Sequence, residues 1–401
     1  MSRVVKLEEL CLPDQIGKYG IPAVAEEFSE DKVRYLRITD IDDYGNLLEN
    51  DKKSVSSPEI EKYILKEGDI VFARTGNSTG RTYFHEEKNG ELAFAGFLIK
   101  FSLDESKVNP KYLKYFTISK PYKQWVDNLS NGSTRGNINA KTFADCPIIL
   151  PSREQQDYLV RVLSSLEDKI QINNQINQEL EAMAKTLYDY WFVQFDFPDQ
   201  NGKPYKSSGG KMVYNPELKR EIPEGWGVEK LGDVAYLKAG GDKPNNISDR
   251  KSKETPIPIY SNGLDNKGLY GYTNKATIYN NSLTVSARGT IGYVQRRFSP
   301  FFPIIRLISI TPKEEKLIGY IENFLKSIQF ENSGSVQQQL TVPQIDKLYI
   351  VIPENKLLEQ YHSLTINYYC QVENNEQQNQ QLTQLRDWLL PMLMNGQVKV
   401  E

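Results

Sequence analysis

The chain of 401 residues says the same thing twice. Gly132-Ser133, followed by Ile138, Phe143, Ile148 and Pro151, returns 202 residues later as Gly334-Ser335, followed by Leu340, Ile345, Ile350 and Pro353. In each copy the proline opens a long amphipathic segment, where Leu180 and Leu187 match Leu382 and Leu389 at the same offset. Solenoid units run only about 20 to 50 residues. The repeating unit is therefore a whole domain with its own core, followed by a long helix. Two similar domains held apart by helices imply two similar ligands at a fixed distance.

Composition narrows the class. With 39% hydrophobic and 25% charged residues the chain is ordinary globular protein. Three unclustered cysteines, Cys11, Cys146 and Cys370, argue against a disulfide framework and fit a reducing compartment. The opening MSRVVKLEEL lacks the apolar run of a signal peptide, and no uncharged apolar stretch approaches the roughly 18 to 20 residues of a membrane span. The expectation is a cytoplasmic protein without a membrane segment. The net charge of −3 is unevenly spread: residues 151–197 and 353–401 together carry −7, residues 1–150 carry −2 and residues 198–352 carry +6. Such totals are weak guides to nucleic-acid binding, because local patches set that affinity.

Local patterns predict mixed α and β structure in both blocks. Tyr35-Leu36-Arg37-Ile38 and Leu98-Ile99-Lys100-Phe101 read as strands, Asp42 to Asn46 as a turn, and Gly68 to Arg74 as turn then strand. Helices are expected from Asn109-Pro110 through Phe116 and from Tyr122 to Leu129. After a polar connector, Asp199 to Glu221, the phrase Lys230-Leu231-Gly232-Asp233-Val234 echoes Lys6-Leu7-Glu8-Glu9-Leu10. Thr284 to Gly289 likewise echoes Val71 to Gly76. In the helical segments Leu163, Leu166, Ile170, Ile176, Leu180, Met183, Leu187 and Trp191 recur mostly three or four apart. Tyr361, Leu364, Tyr368, Val372, Leu382, Leu385, Leu389 and Met392 do the same. Each stripe crosses a polar middle, Gln171 to Gln178 and Asn374 to Gln381. Beside an ordinary core-facing helix, this pattern fits an antiparallel coiled coil between the segments, with amides at its seam fixing register.

Two loops carry the candidate chemistry. Arg74-Thr75-Gly76-Asn77-Ser78-Thr79-Gly80-Arg81 is a strand end running into a small polar loop between two guanidinium groups, matched by Arg288-Gly289-Thr290. Asn131 to Asn137, with Ser133, Thr134, Arg135 and Asn137, and Ser333 to Gln339, with Ser335 and Gln337, offer similar groups. Freed backbone amides and hydroxyls suit phosphate, while Arg and Asn pair bidentately with base edges; a solvated hairpin is the plainer alternative. Enzyme signatures fail on inspection. Asn109-Pro110-Lys111-Tyr112 lacks the second proline of an amino-methyltransferase loop, Gly76 to Arg81 lacks a P-loop ending, and His85 and His362 have no cysteine nearby for zinc. Asp199, Glu217 and Lys219 imitate the acidic pair and lysine of a Mg²⁺-dependent nuclease, but in a connector that reads as a flexible tether. A coiled-coil scaffold that holds other proteins is a further alternative, separable by salt-dependent DNA binding.

The order domain, helix, domain, helix resembles the specificity subunit of type I restriction–modification systems. So do Ile222-Pro223-Glu224-Gly225-Trp226 with Leu231-Gly232-Asp233-Val234, and Gly132-Ser133-Thr134 ahead of Pro147-Ile148-Ile149-Leu150-Pro151. The repeated Pro-x-x-x-Gln-Gln-type helix starts belong to the same pattern. The resemblance implies an α+β (mixed α/β) chain with two target recognition domains, residues 1–150 and, with the connector, 198–352. Helical spacers at 151–197 and 353–401 would form an antiparallel pair. It implies a non-catalytic subunit that reads a bipartite double-stranded DNA target. Two adenine methyltransferase subunits would dock on the helices, with two restriction/translocase subunits where the system has them. No cofactor is expected in this chain; S-adenosylmethionine, ATP and Mg would belong to the partners. The docking helices would present Leu163, Leu166, Ile170, Ile176, Leu180, Leu187, Val372, Leu382, Leu385 and Leu389. The copies differ where Arg135 becomes Gln337, so their DNA contacts need not correspond residue by residue. A helical stripe of about 29 residues at about 1.5 Å each gives a spacer of roughly 43 Å, and hence half-sites about one DNA turn apart with an unread gap of roughly 5 to 9 base pairs.

Overall fold

The computed structural model describes residues 3–130, 137–330 and 339–394. By contacts the chain parts into two units, Met1–Gln171 with Asn379–Glu401, and Ile172–Gln378. Each is built to one plan.

In the first unit a four-stranded antiparallel sheet runs in the order Lys18–Tyr19, Leu98–Ser102, Asp69–Ala73, Thr82–Phe84. The two middle strands are buried along their whole length. Successive side chains point to opposite faces, so Ile70 and Phe72 enter one core with Phe101, Tyr112 and Phe143, while Val71 and Ala73 enter another with Leu36, Phe94 and Leu98. A smaller sheet of Glu26–Glu27, Lys53–Ser54, Arg34–Leu36 and Leu92–Phe94 ends in a parallel pair. Arg3–Lys6 pairs antiparallel with Pro147–Leu150.

The second unit repeats this. Its sheet runs Ala235–Ala239, Ile308–Pro312, Ser282–Val285, Val294–Arg297. A smaller sheet again ends in a parallel pair, Ile257–Tyr260 with Phe302–Pro303, and Gly227–Lys230 pairs antiparallel with Tyr349–Ile352. The echoed phrases fold alike: Leu7–Leu10 and Leu231–Val234 are short helical turns that bury Leu7, Leu10 and Leu231. Helices Pro110–Phe116 and Ile318–Ser327 each send a tyrosine hydroxyl to the strand before a long helix, Tyr112 to the Ile149 carbonyl (2.5 Å) and Tyr320 to that of Val351 (2.6 Å).

The strand expected at Leu98 to Phe101 is present as Leu98–Ser102, and the helices expected from Asn109-Pro110 and from Tyr122 are Pro110–Phe116 and Lys120–Ser130. The strand expected over Tyr35 to Ile38 is only partly so: it is Arg34–Leu36, and Ile38 begins a short 3-10 helix, Ile38–Asp40. The Asn109 side chain caps its helix by accepting from the Lys111 N–H (3.1 Å). Its backbone N–H donates to the Gln156 side chain (2.9 Å), which explains the glutamine at the helix start.

The long helices are Arg153–Tyr188, continued by a π-helical turn Asp189–Val193, and Asn355–Met394. Within the second unit they pair antiparallel: Asn173 Nδ2 donates to Gln378 Oε1 (2.7 Å), Asn375 Nδ2 to Asn177 Oδ1 (2.8 Å), and the Tyr361 hydroxyl to the Ala184 carbonyl (3.4 Å). The expected amide seam is therefore present. Within the first unit Leu390 shares a core with Leu159 and Leu163.

Two expectations need correction. Ile176, Met183, Leu364 and Leu385 do not face the seam; they are 41 to 50% exposed. Asn173, Asn177, Ala184, Thr365 and Asn375 are buried in their place, because amides that hydrogen-bond across the pair satisfy their polar groups there. Nor is the connector a flexible tether. Met212–Asn215 and Arg220–Pro223 form a hairpin, and Phe197 stacks on both Tyr205 (4.7 Å between centroids) and Trp226 (5.0 Å).

Candidate nucleic-acid interface

Each unit places an arginine just beyond its central strand, beside the entry of the next structural segment. In the first unit the chain leaves Asp69–Ala73, turns through Gly76 (φ 74°) and Gly80 (φ 85°), and re-enters at Thr82. A side chain at Gly80 would collide with Val126, so the loop lies against a helix. Arg74 Nε and Nη2 donate to Asn137 Oδ1, both at 3.3 Å, and the guanidinium lies 5.0 Å from the Tyr19 ring centroid. The Arg74 carbonyl accepts from the Ile138 N–H (2.9 Å).

The second unit reproduces the pair with a one-residue difference. Gly289 (φ 70°) and Gly292 (φ 85°) shape the loop, and Arg288 Nη2 and Nε donate to Gln339 Oε1 at 2.6 and 3.1 Å. Here it is the Ala287 carbonyl that accepts from the Leu340 N–H (2.9 Å). The backbone thus sets Ala287, not Arg288, where Arg74 stands, yet both guanidinium groups reach the amide 202 residues apart in sequence, Asn137 and Gln339. Among the described residues neither arginine is in an ion pair.

The other sequence candidates fall into three groups. Gly76 and Asn77 are exposed with Arg288 and Thr290, while Thr75 is half-buried beside Arg74. Ser78 is buried, the Thr79 hydroxyl bonds the Gly76 carbonyl (2.7 Å), and Arg81 is held by Asp43 (2.7 Å) and the Ile41 carbonyl (3.0 Å), so these three serve the loop itself. Ser133, Thr134, Arg135, Ser335 and Gln337 lie outside the described residues. On the long helices Leu163 and Val372 are buried; Leu166, Ile170, Leu180, Leu187, Leu382 and Leu389 are half-buried; Ile176 and Leu385 are exposed. Tyr19 and Asn262 carry no signal in the sequence, while Gln339 stands there only as the end of the candidate loop Ser333 to Gln339, with Ser335 and Gln337 favoured over it. The 202-residue offset alone would have supplied Gln339 from Asn137.

The enzymatic alternatives find no support. Asp199 accepts from the N–H groups of Asn201 and Lys203, both at 2.8 Å, and so closes its own turn. Glu217 and Lys219 sit in the hairpin turn, Lys219 at φ 52°. Among the described residues no group of three His, Cys, Asp or Glu side chains is placed to hold a metal ion. Burial lowers the pKa of both His85 and His362. It pushes the Cys11 and Cys146 thiols up to about 12, leaving them inert. No described helix is long and apolar enough to cross a membrane.

Both blocks, each with the helix that follows it, match the type I restriction modification DNA specificity domain, over residues 4–182 and 223–384. The chain belongs to this family, as a DNA-recognition subunit and not a catalyst. It is 28% identical over 309 residues to the MjaIX specificity subunit of Methanocaldococcus jannaschii, covering 73% of this chain and 69% of that one. It is 22% identical over 409 residues to the HindI specificity subunit of Haemophilus influenzae, covering 85% and 89%. In fold it is similar to the type I S subunit from M. genitalium, with a TM-score of 0.56 at 15% identity over 98% of this chain and 96% of that one.

Proposed function

We propose that the two arginine–amide pairs are the DNA-reading groups, each serving one half of a split target. The recurrence of the pair on two backbones that differ by a residue carries this reading. With Nε and Nη2 turned to the amide oxygen, each guanidinium keeps its Nη1/Nη2 end for a bidentate contact, the geometry that suits guanine O6 and N7. Holding the fork in advance reduces the ordering cost of that contact.

The reading extends to partners. Two copies of an adenine methyltransferase subunit dock on the doubled helices, with restriction/translocase subunits where the system has them. Exposed Ile172, Ile176 and Met183 on the first long helix and Leu385 and Trp388 on the second support this. S-adenosylmethionine, ATP and Mg belong to those partners, and the assembly is cytoplasmic.

The test is a map of methylated adenines in DNA from cells carrying the chain with its methyltransferase. The expected wild-type map is a split motif. Arg74→Ala should relax one half and Arg288→Ala the other, each by about 1–3 kcal/mol of discrimination. A continuous motif, or single variants that relax both halves, would overturn the assignment. Co-purification should give two methyltransferase subunits per chain.

A further inference from the structure

Next to each arginine–amide pair lies a tight turn that occupies the same place in both units. Parallel bridges Ile21↔Ala95 and Gly241↔Ile304 lead into it. It is closed by Leu98 N–H to the Ala95 carbonyl (2.8 Å) in one unit and Leu307 N–H to that of Ile304 (3.0 Å) in the other. Gly20 N–H then bonds the Leu98 carbonyl (3.1 Å), as Gly240 N–H does that of Leu307 (2.8 Å). By this correspondence Phe97 and Arg306 are equivalent, and both are exposed.

The turn is tied to the site. In the first unit the Arg74 N–H donates directly to the Phe97 carbonyl (3.0 Å). In the second the Asn262 side chain bridges the gap: its Oδ1 accepts from Ala287 N–H (2.7 Å) and its Nδ2 donates to the Ile305 carbonyl (2.6 Å). Ile305 and Arg306 are both left-handed, φ 53° and 64°, whereas neither Gly96 nor Phe97 is. The connection itself does not require the strain, since the first unit closes the same turn without it. Strain kept by surrounding hydrogen bonds is characteristic of a residue being aimed.

We infer that this turn is the second reading element of each unit and sets part of its specificity: Phe97 through apolar contact with a base of its half-site, Arg306 through a bidentate fork on a base of the other. The inference rests on the proposed reading of two half-sites. Phe97 is 59% exposed on a turn that the Arg74 N–H holds by its own carbonyl, so its ring is free to meet a base beside the one that Arg74 reads. Arg306, among the described residues, is in no ion pair.

The experiment uses the chain assembled with its methyltransferase, and measures both binding against salt and the methylation motif. Phe97→Ala should weaken binding about tenfold, leave the salt slope unchanged and relax only the half that Arg74→Ala relaxes. Arg306→Ala should relax the other half and lower the slope by about 0.9. Arg306→Lys, which keeps the charge but loses the fork, should restore the slope without restoring the base preference. If Arg306→Lys restores both, the residue contacts phosphate only and the inference fails. It also fails if the wild-type complex shows a split motif that Phe97→Ala and Arg306→Ala leave intact. A wild-type complex without a split motif would instead break the underlying reading of half-sites.

Discussion

Arg74 and Arg288 stand one residue out of step on their backbones and still reach equivalent amides. A one-residue slip within a strand would turn a side chain to the opposite face, but both arginines lie beyond the ends of their strands, Asp69–Ala73 and Ser282–Val285, where the sheet no longer fixes direction. Matching letters in the sequence therefore aligned the arginines correctly as chemistry and wrongly as backbone. The glycine-bounded loops were legible in sequence, because left-handed turns announce themselves by residue type. Tyr19, Asn262 and Phe97 were not, because only long-range pairing brings them to the loop. Left-handed Ile305 is the converse case, a β-branched residue where sequence rules expect glycine. Ile305→Gly should raise the stability of the second unit by up to about 1 kcal/mol, read as a higher denaturant midpoint with an unchanged slope. Glu322 gives a pH dependence. Burial opposes its ionisation, but Arg296 (2.6 Å) and Lys326 (2.7 Å) outweigh it and hold the carboxyl below its ordinary value. Its contribution is present above the ordinary glutamate range and is lost as pH falls through the depressed folded value. Thermal melts of wild type and Glu322→Gln should show the acid-side decline of the second unit shrinking in the variant.

At the level of elements, helix starts, caps and buried strands were readable, since capping residues and continuous apolar runs are local signals. The apolar members of the long helices' stripes were not all readable: counting apolar residues selected Leu364 and Leu385, which are exposed. The amide seam was readable, from the Asn- and Gln-rich middles, and Asn177 pairs there with Asn375 and Asn173 with Gln378. Polar residues at such a seam act as register marks at some cost in stability. Asn177→Leu should destabilise the second unit by about 1–3 kcal/mol, because the Asn375 amide loses its acceptor in a buried place. Asn177→Leu with Asn375→Leu should recover much of that loss. A double variant as unstable as the sum of its singles would show that the amides do not act as a pair.

At the scale of the whole molecule, contacts divide the chain along a line that no linear segmentation follows, since the first unit draws on both ends of the sequence. The repeat was visible from sequence, but this exchange was not, because helical periodicity says which side is apolar and not which core receives it. Leu390 sits in the core of Leu7, Phe72 and Leu163, more than 200 residues from any of them. Leu390→Ala should therefore cost about 2–5 kcal/mol. Hydrogen exchange should report the lost protection in residues 3–171 and leave residues 172–378 unchanged.

The same exchange bears on how such a chain could arise. Leu389, Leu390 and Leu393, which pack on the first unit, are the counterparts at 202 residues of Leu187, Tyr188 and Trp191, which pack on the second. A half-length ancestor ending near residue 197 would have carried one recognition block and a helix whose far end had no core of its own to cover. Two copies could have met that need reciprocally, each lending its helix end to the other, and tandem fusion of their genes would then have preserved the swap inside one polypeptide. Expressed alone, residues 1–197 should accordingly run as a twofold dimer in sedimentation; a stable, well-folded monomer would count against this origin.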